Sequence, residues 1–374
     1  MKMKTFVNEK KKIELAYLDF LEKFGLNVDF KGPDKNLKDK IDKELKDSAE
    51  REGMSISTSI IRVHPEGLPR YYNLLKDLAK DVELGVKLNN DSLKEEVFVG
   101  EFPTGSFNSQ VMKVPEGYIV LINSGLLSLI YQFMKIMSFS IAFASLDDNG
   151  MPIKGTIRGE SELSKEDRID AIVDLIFSYF EYKDSRFAKR YRAVGGAKGD
   201  LISTLTYYCE MFAVAHEYGH ILAGHLDKPI FDFIESPVGK IEILKKSMMQ
   251  EHMADLIATH IMLPNLKKFK IEEPDIHALD VACGPILYFA IDILLNYVRT
   301  DMDRHIRIPV SNHPLSHKRL EALLKYFTDN GVISVANGAM VYLKWMSDIT
   351  PDVLKKVKDT IRDKVKDKSE KDWQ

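Results

Sequence analysis

The sequence predicts a mostly helical α+β domain with a small sheet, preceded by a helical N-terminal region. Three observations predict it. Apolar residues recur at helical spacing through most of the 374 residues. Runs of β-branched and aromatic residues stand at Val97-Phe98-Val99 and at Tyr118-Ile119-Val120-Leu121-Ile122. Between them and the chain's last third lies one long helical pattern that carries His216, Glu217 and His220 among apolar neighbours.

In chain order, Ile13, Leu15, Leu18, Leu21 and Phe24 make the first apolar stripe. Gly32-Pro33 breaks it, and Lys35 to Glu52 is dense in charge at helical spacing, as a solvated helix face is. His64 sits before Pro65 in a turn. Tyr71 to Leu88 is an amphipathic helix ended by Asn89-Asn90-Asp91. Then come the strand at 97–99, a loop rich in Gly, Ser and Asn, the strand at 118–122, and a helix from Ser124 to about Phe139. Residues 146–200 read as an elaboration. Within it Ser164 starts a helix with the stripe Ile169, Ile172, Leu175, Ile176 and Phe180, and Val194 to Asp200 reads as a flexible loop. A connector follows Pro229, and Lys246 to Ala258 is a second polar-marked helix. Ile276 to Val298 is apolar nearly all round, which suits a core helix. Leu315 to Phe327, two further helices and a charged, disordered end complete the chain. The parts are residues 1–95, 96–328 and 329–374.

The bulk composition excludes some classes. A hydrophobic content of 45% supports a sizeable core, and a net charge of −3 gives no footing for a nucleic-acid partner. Cys209 and Cys283 are too few for a disulfide framework and suit a reducing compartment. Met1 to Lys12 does not read as a signal peptide. The apolar stretch Tyr118 to Leu146 is interrupted by Asn123, Ser124, Gly125, Gln132 and Lys135. It reads as a strand and a core helix, so a cytoplasmic protein without stable membrane insertion is expected.

The chemistry lies in His216-Glu217-Tyr218-Gly219-His220. Residues four apart share a helix face, so His216 and His220 can offer two imidazoles to one metal ion. Glu217 points to the side, where it can reach a water that the metal has acidified to a pKa of about 7. Glu251 and Asp255 are also four apart. That suits a third ligand and a carboxylate that orients a ligating histidine. Ala254 and Ala258 are small enough to let the two helices approach. His225, five residues after His220, is misplaced for the third histidine of H-E-x-x-H-x-x-G-x-x-H. It reads as a helix-terminal or ligand-supporting histidine. Cys209, His260 and the Met248-Met249 pair read as core, and His252 as a packing or ligand-supporting residue.

His216 to His220 followed by Glu251-His252-Met253-Ala254-Asp255 resembles the H-E-x-x-H … E-x-x-A-D signature of gluzincin metallopeptidases. Phe107-Asn108, Pro115 to Val120 and Ser124 to Leu127 resemble the edge strand and following helix of the CAAX-endopeptidase/HtpX-type family. His313-Pro314 with Arg319 resembles that family's late H-P-x-x-x-x-R segment. Soluble relatives such as the phage-exclusion protease Lit or the ImmA/IrrE-type peptidases are similar in kind. The resemblance covers about residues 97–325. It implies a zincin-type domain, with a small mixed sheet and an antiparallel edge strand over the two marked helices. It further implies one Zn2+ per chain on His216, His220 and Glu251, with Glu217 as general base. Asp255, His225 and Arg319 would support the site. A protein or peptide substrate would lie along Tyr118–Ile122, touching Asn108, Tyr118, Ile119 and Val120. His313 either caps a helix or donates to the oxyanion. The expected activity is zinc-dependent endopeptidase action on one or a few intracellular proteins. The alternatives are an inactive, zinc-stabilised interaction protein and a hydrolase of small amides.

Overall fold

Three strands make the principal sheet: β1 (Val97–Phe102), β2 (Ser109–Val114) and β3 (Gly117–Asn123), in the order β1-β3-β2. β3 is parallel to β1, with Val97 opposite Tyr118, and antiparallel to β2, with Val111 opposite Val120. The sheet is therefore mixed. β3 is the middle strand, and every one of its residues is buried. An unbroken apolar run is what a strand covered on both faces requires. The computed structural model describes residues 12–23, 71–102, 104–139, 163–182, 185, 188, 196–227, 231–236, 239–244, 247–263, 276–303, 316–330 and 333–371. The charged run at 35–52, His64 and His313 lie outside them.

Two compact units divide the chain, each built from separated stretches. Residues 1–104, 108–124 and 211–266 make the first. It holds the sheet, α1 (Lys12–Lys23), α2 (Tyr72–Leu88), the end of α5 (Gly196–Leu222), the hairpin β4–β5 (Phe231–Ser236, Gly239–Leu244) and α6 (Met248–Met262). The stripe of α1 that is buried is Ile13, Tyr17 and Leu21, packed with Phe102, Ile119 and Leu121. Leu15 and Leu18 are only half-buried. The Tyr17 hydroxyl donates to the Glu101 carbonyl at 2.7 Å, so this ring closes its polar end inside the core. Each side chain of the stripe contributes about 1.5–3 kcal/mol of burial, which fastens α1 to the sheet. β2 turns into β3 through Pro115-Glu116, and Gly117 takes φ 141°, which a side chain would resist.

Residues 105–107, 125–210 and 267–374 make the second unit. It is helical: α3 (Ser124–Ser138), α4 (Lys165–Tyr182), the start of α5, α7 (Ile276–Asp303), α8 (Ser316–Asp329) and α9 (Ile333–Lys371). The Ser164 hydroxyl accepts from the Asp167 N–H at 3.1 Å and fixes the start of α4. Ile169, Ile172, Leu175, Ile176 and Phe180 are all buried, as their spacing predicts. Within α7, Val281–Thr300 is long and apolar enough to cross a bilayer, and 72% of it is buried. Ile286, Leu287, Phe289, Ile291 and Leu294 are buried, while Ile293 is half-exposed.

Several local expectations are corrected. Ser109–Val114 is a strand, not loop, and the connector after Pro229 contains a hairpin. Strands this short leave only three alternations to read, and their register is set by the partner. Gly196 to Asp200 belongs to α5 instead of a loop. Glycine costs a helix only about 1 kcal/mol, which a long helix absorbs. The two expected C-terminal helices are one, α9, which passes through Pro351 and runs to Lys371. The proline removes one backbone donor. Met346, Ile349, Val353, Val357 and Ile361 stay buried on both sides of it, so packing holds the axis. Met248, Met249 and His260 are exposed instead of core.

Candidate metal centre

The two marked helices meet inside the first unit. Gly219 is the contact point: a Cβ there would sit 2.6 Å from the Ala254 carbonyl oxygen. Ala254 and Ala258 are fully buried and bring nothing larger than a methyl to the crossing. A turn of α5 can therefore lie against a turn of α6 at backbone distance. His216 and His220 on one side face Glu251 on the other.

The resulting group is tight and buried. One ligand atom from each of His216, His220 and Glu251 lies within 4.8 Å of the others, and all three residues are buried. The two Nε2 atoms are 3.2 Å apart. Glu251 Oε2 is 3.4 Å from His216 Nε2, and its Oε1 is 3.4 Å from His220 Nε2. The group could hold a metal ion. The donor chemistry fits one: two imidazole nitrogens and a carboxylate converge in a buried place, and a buried carboxylate is costly unless paired.

The far side of each imidazole is also held. His216 Nδ1 is 2.9 Å from Asp255 Oδ1. The carboxylate accepts the Nδ1 hydrogen, which leaves the Nε2 lone pair for the centre. His220 Nδ1 is 2.8 Å from His225 Nδ1. Burial pushes the His216 imidazole down, but the hydrogen bonds and charges of Asp255 and Glu251 outweigh it and hold it up, at about 8. The surroundings thus favour a positive charge where the metal would be.

Glu217 is buried, and its Oε1 accepts a hydrogen bond of 2.7 Å from the Ser109 hydroxyl. β2 delivers that hydroxyl. Ser109, Val111 and Lys113 alternate onto one face of the strand. Ser109 meets Glu217, and Lys113 reaches Asp227, just beyond α5, at 3.8 Å. Sequence reasoning missed Ser109 because its strand was read as loop. The alternation Ser109-Gln110-Val111-Met112-Lys113-Val114 was the available signal.

The other expected residues are placed as follows. Asn108 is half-buried and directly precedes β2, its carbonyl accepting the Asn123 N–H at 3.2 Å. Tyr118, Ile119 and Val120 are in the middle strand with both backbone edges paired, so an extended peptide cannot add to them. That corrects their expected role as a substrate edge, which needs a free ladder. Arg319 lies in the second unit, its guanidinium 4.9 Å from the centre of the Phe289 ring. Burial pushes the Cys209 thiol up, so it remains an uncharged core residue.

No family model matches the chain, and neither a curated protein nor a solved structure does.

Proposed function

We propose that the chain is a zinc-dependent endopeptidase whose centre is held by His216, His220 and Glu251, with Glu217 as general base. One observation carries this reading: a buried carboxylate that is no member of the ligand triangle follows directly on a ligand histidine in the helix. A structural zinc site closes with four protein ligands and has no use for such a group. The donor spacing suits zinc. His216 and His220 Nε2 are 3.2 Å apart and each lies 3.4 Å from a different oxygen of Glu251, where ligand atoms at about 2.0–2.1 Å from a tetrahedral ion stand roughly 3.3 Å from one another.

When bound, zinc supplies Lewis acidity to a peptide carbonyl and to water. The chain's own residues do the rest. His216 and His220 present Nε2, with Asp255 and His225 fixing how each ring is turned. Glu217 removes a proton from the attacking water and delivers it to the leaving amine nitrogen. Substrate would pair with an outer strand of the sheet, and β2 is the outer strand that carries Ser109 beside Glu217.

The test is Glu217→Gln beside the wild type. Both are assayed for zinc content and for cleavage of an internally quenched mixed-sequence peptide pool. The variant should keep its zinc and its fold and lose hydrolysis by about 10²–10⁴-fold, the usual contribution of a general base. A zinc-loaded Glu217→Gln protein that still cleaves would end this reading.

A further inference from the structure

We infer that Ser109 is a positioning residue for Glu217, holding one carboxylate oxygen so that the other is aimed at the proton that hydrolysis moves. The inference rests on the peptidase reading of the centre and adds to it a residue outside the two helices. A glutamate side chain has three rotatable torsions, and a base that wanders among rotamers is absent from the reacting geometry part of the time. Helix α5 fixes only the Cα and Cβ of Glu217. Something else must select the rotamer, and the Ser109 hydroxyl touches the carboxylate: Oγ donates to Oε1 at 2.7 Å, and both residues are buried.

The hydroxyl is itself held in place. Ser109 stands opposite Ile122 in the β2–β3 ladder, and the residue before it is tied by the Asn123 N–H to the Asn108 carbonyl. Four residues on, Lys113 lies 5.3 Å from the centre of its cross-strand partner, the Tyr118 ring, and pairs with Glu95 at 3.1 Å and Asp227 at 3.8 Å. β2 is thus pinned at both ends, and its inward face addresses α5 at Glu217 and at the turn beyond. A serine on a paired strand is a stiffer anchor than one on a loop would be.

The step balances without using the serine proton. As the water oxygen bonds to the carbonyl carbon, its proton passes to Glu217 Oε2. As the C–N bond breaks, that proton passes on to the amine nitrogen. The Ser109 O–H stays whole and keeps its bond to Oε1 throughout. Its removal therefore leaves the base present with Oε1 released from Ser109.

The experiment compares full-length, zinc-loaded wild type with Ser109→Ala and Ser109→Thr. Kinetics use a single internally quenched peptide, chosen from a mixed-sequence pool for its cleavage by the wild type. Ser109→Ala should lower kcat by about 10- to 100-fold, the cost of a misplaced reacting group, with KM and zinc content unchanged. Ser109→Thr keeps the hydroxyl on a β-branched residue that suits a strand, and should return kcat to the wild-type range. In crystal structures of the same proteins, Glu217 should take a second rotamer in Ser109→Ala and the single wild-type rotamer in Ser109→Thr. An unchanged Glu217 rotamer in Ser109→Ala overturns the inference, and so does an unchanged kcat. Absence of cleavage by the wild type overturns the peptidase reading instead. The rotamer comparison still decides whether Ser109 holds the carboxylate.

Discussion

At the scale of single residues, the centre depends on two side chains that touch no ligand position. Asp255 Oδ1 stands 2.9 Å from His216 Nδ1, and His225 Nδ1 stands 2.8 Å from His220 Nδ1. Each contact holds its ring with Nε2 turned towards the centre. Asp255→Ala is expected to weaken metal binding by about 10–100-fold, the usual effect of losing such a partner. His225→Ala should weaken it less. His225 is half-buried, so water can take its place, whereas Asp255 is only 2% exposed. Competition titration of zinc against a chromophoric chelator ranks the two. Wild-type affinity in Asp255→Ala would show that the carboxylate does not set the His216 ring.

At the scale of elements, the contact of α5 with α6 decides whether the donors meet. Alanine in place of Gly219 would favour an isolated helix by about 1 kcal/mol. Here its Cβ would lie 2.6 Å from a backbone oxygen of the neighbouring helix, which cannot rotate away. Gly219→Ala should therefore destabilise the protein by about 1–3 kcal/mol, as overpacking does. It should also reduce metal affinity by pushing α6 and Glu251 outward. A raised melting temperature with intact zinc binding would show that the crossing has slack. The start of α6 gives a contrasting case. Ser247 accepts from the Gln250 N–H at 3.2 Å, and Gln250 Oε1 accepts from the Ser247 N–H at 2.8 Å. Ser247→Ala should cost about 1 kcal/mol in a thermal melt and leave zinc stoichiometry alone, since the lost side-chain bond is to the Gln250 N–H, while the Glu251 N–H keeps the Ser247 carbonyl.

At the scale of the whole molecule, the proposed ligands come from helices that the β4–β5 hairpin separates in sequence. A metal that binds only the folded arrangement ties them together. Free metal at a thousand times its dissociation constant should add about 4 kcal/mol of stability. A chelator should lower the melting temperature of the wild type and of Glu217→Gln by the same amount, because Glu217 is not a ligand. It should leave His216→Ala and His220→Ala unmoved. A chelator shift that survives in His220→Ala would place the stabilising metal elsewhere.

Some of this was legible in the residues themselves. The periods of 3.6 and 2 are local, so the helices over 72–88, 165–182 and 276–303 and the strand over 117–123 could be read directly. The spacing of four between His216 and His220, and between Glu251 and Asp255, states which side chains share a face before any partner is known. Other features depend on what lies across a gap in the chain. Whether β3 is an edge or a middle strand is decided by β2, a strand of only six residues whose place beside β3 no local pattern states. The run Tyr118–Ile122 suits either place until its neighbours are counted. Pro351 is a break on local grounds, and only the stripe packed on both sides of it keeps α9 whole. Ser109 has no meaning as a lone serine. It becomes a partner of Glu217 when the sheet lays residue 109 beside residue 217. The sequence by itself determined the helix faces and the donor set, because covalent spacing and backbone geometry fix them. Only the tertiary structure decided strand order, the depth of the Gly219–Ala254 contact and the reach of Ser109, because long-range packing sets these and no local period encodes it.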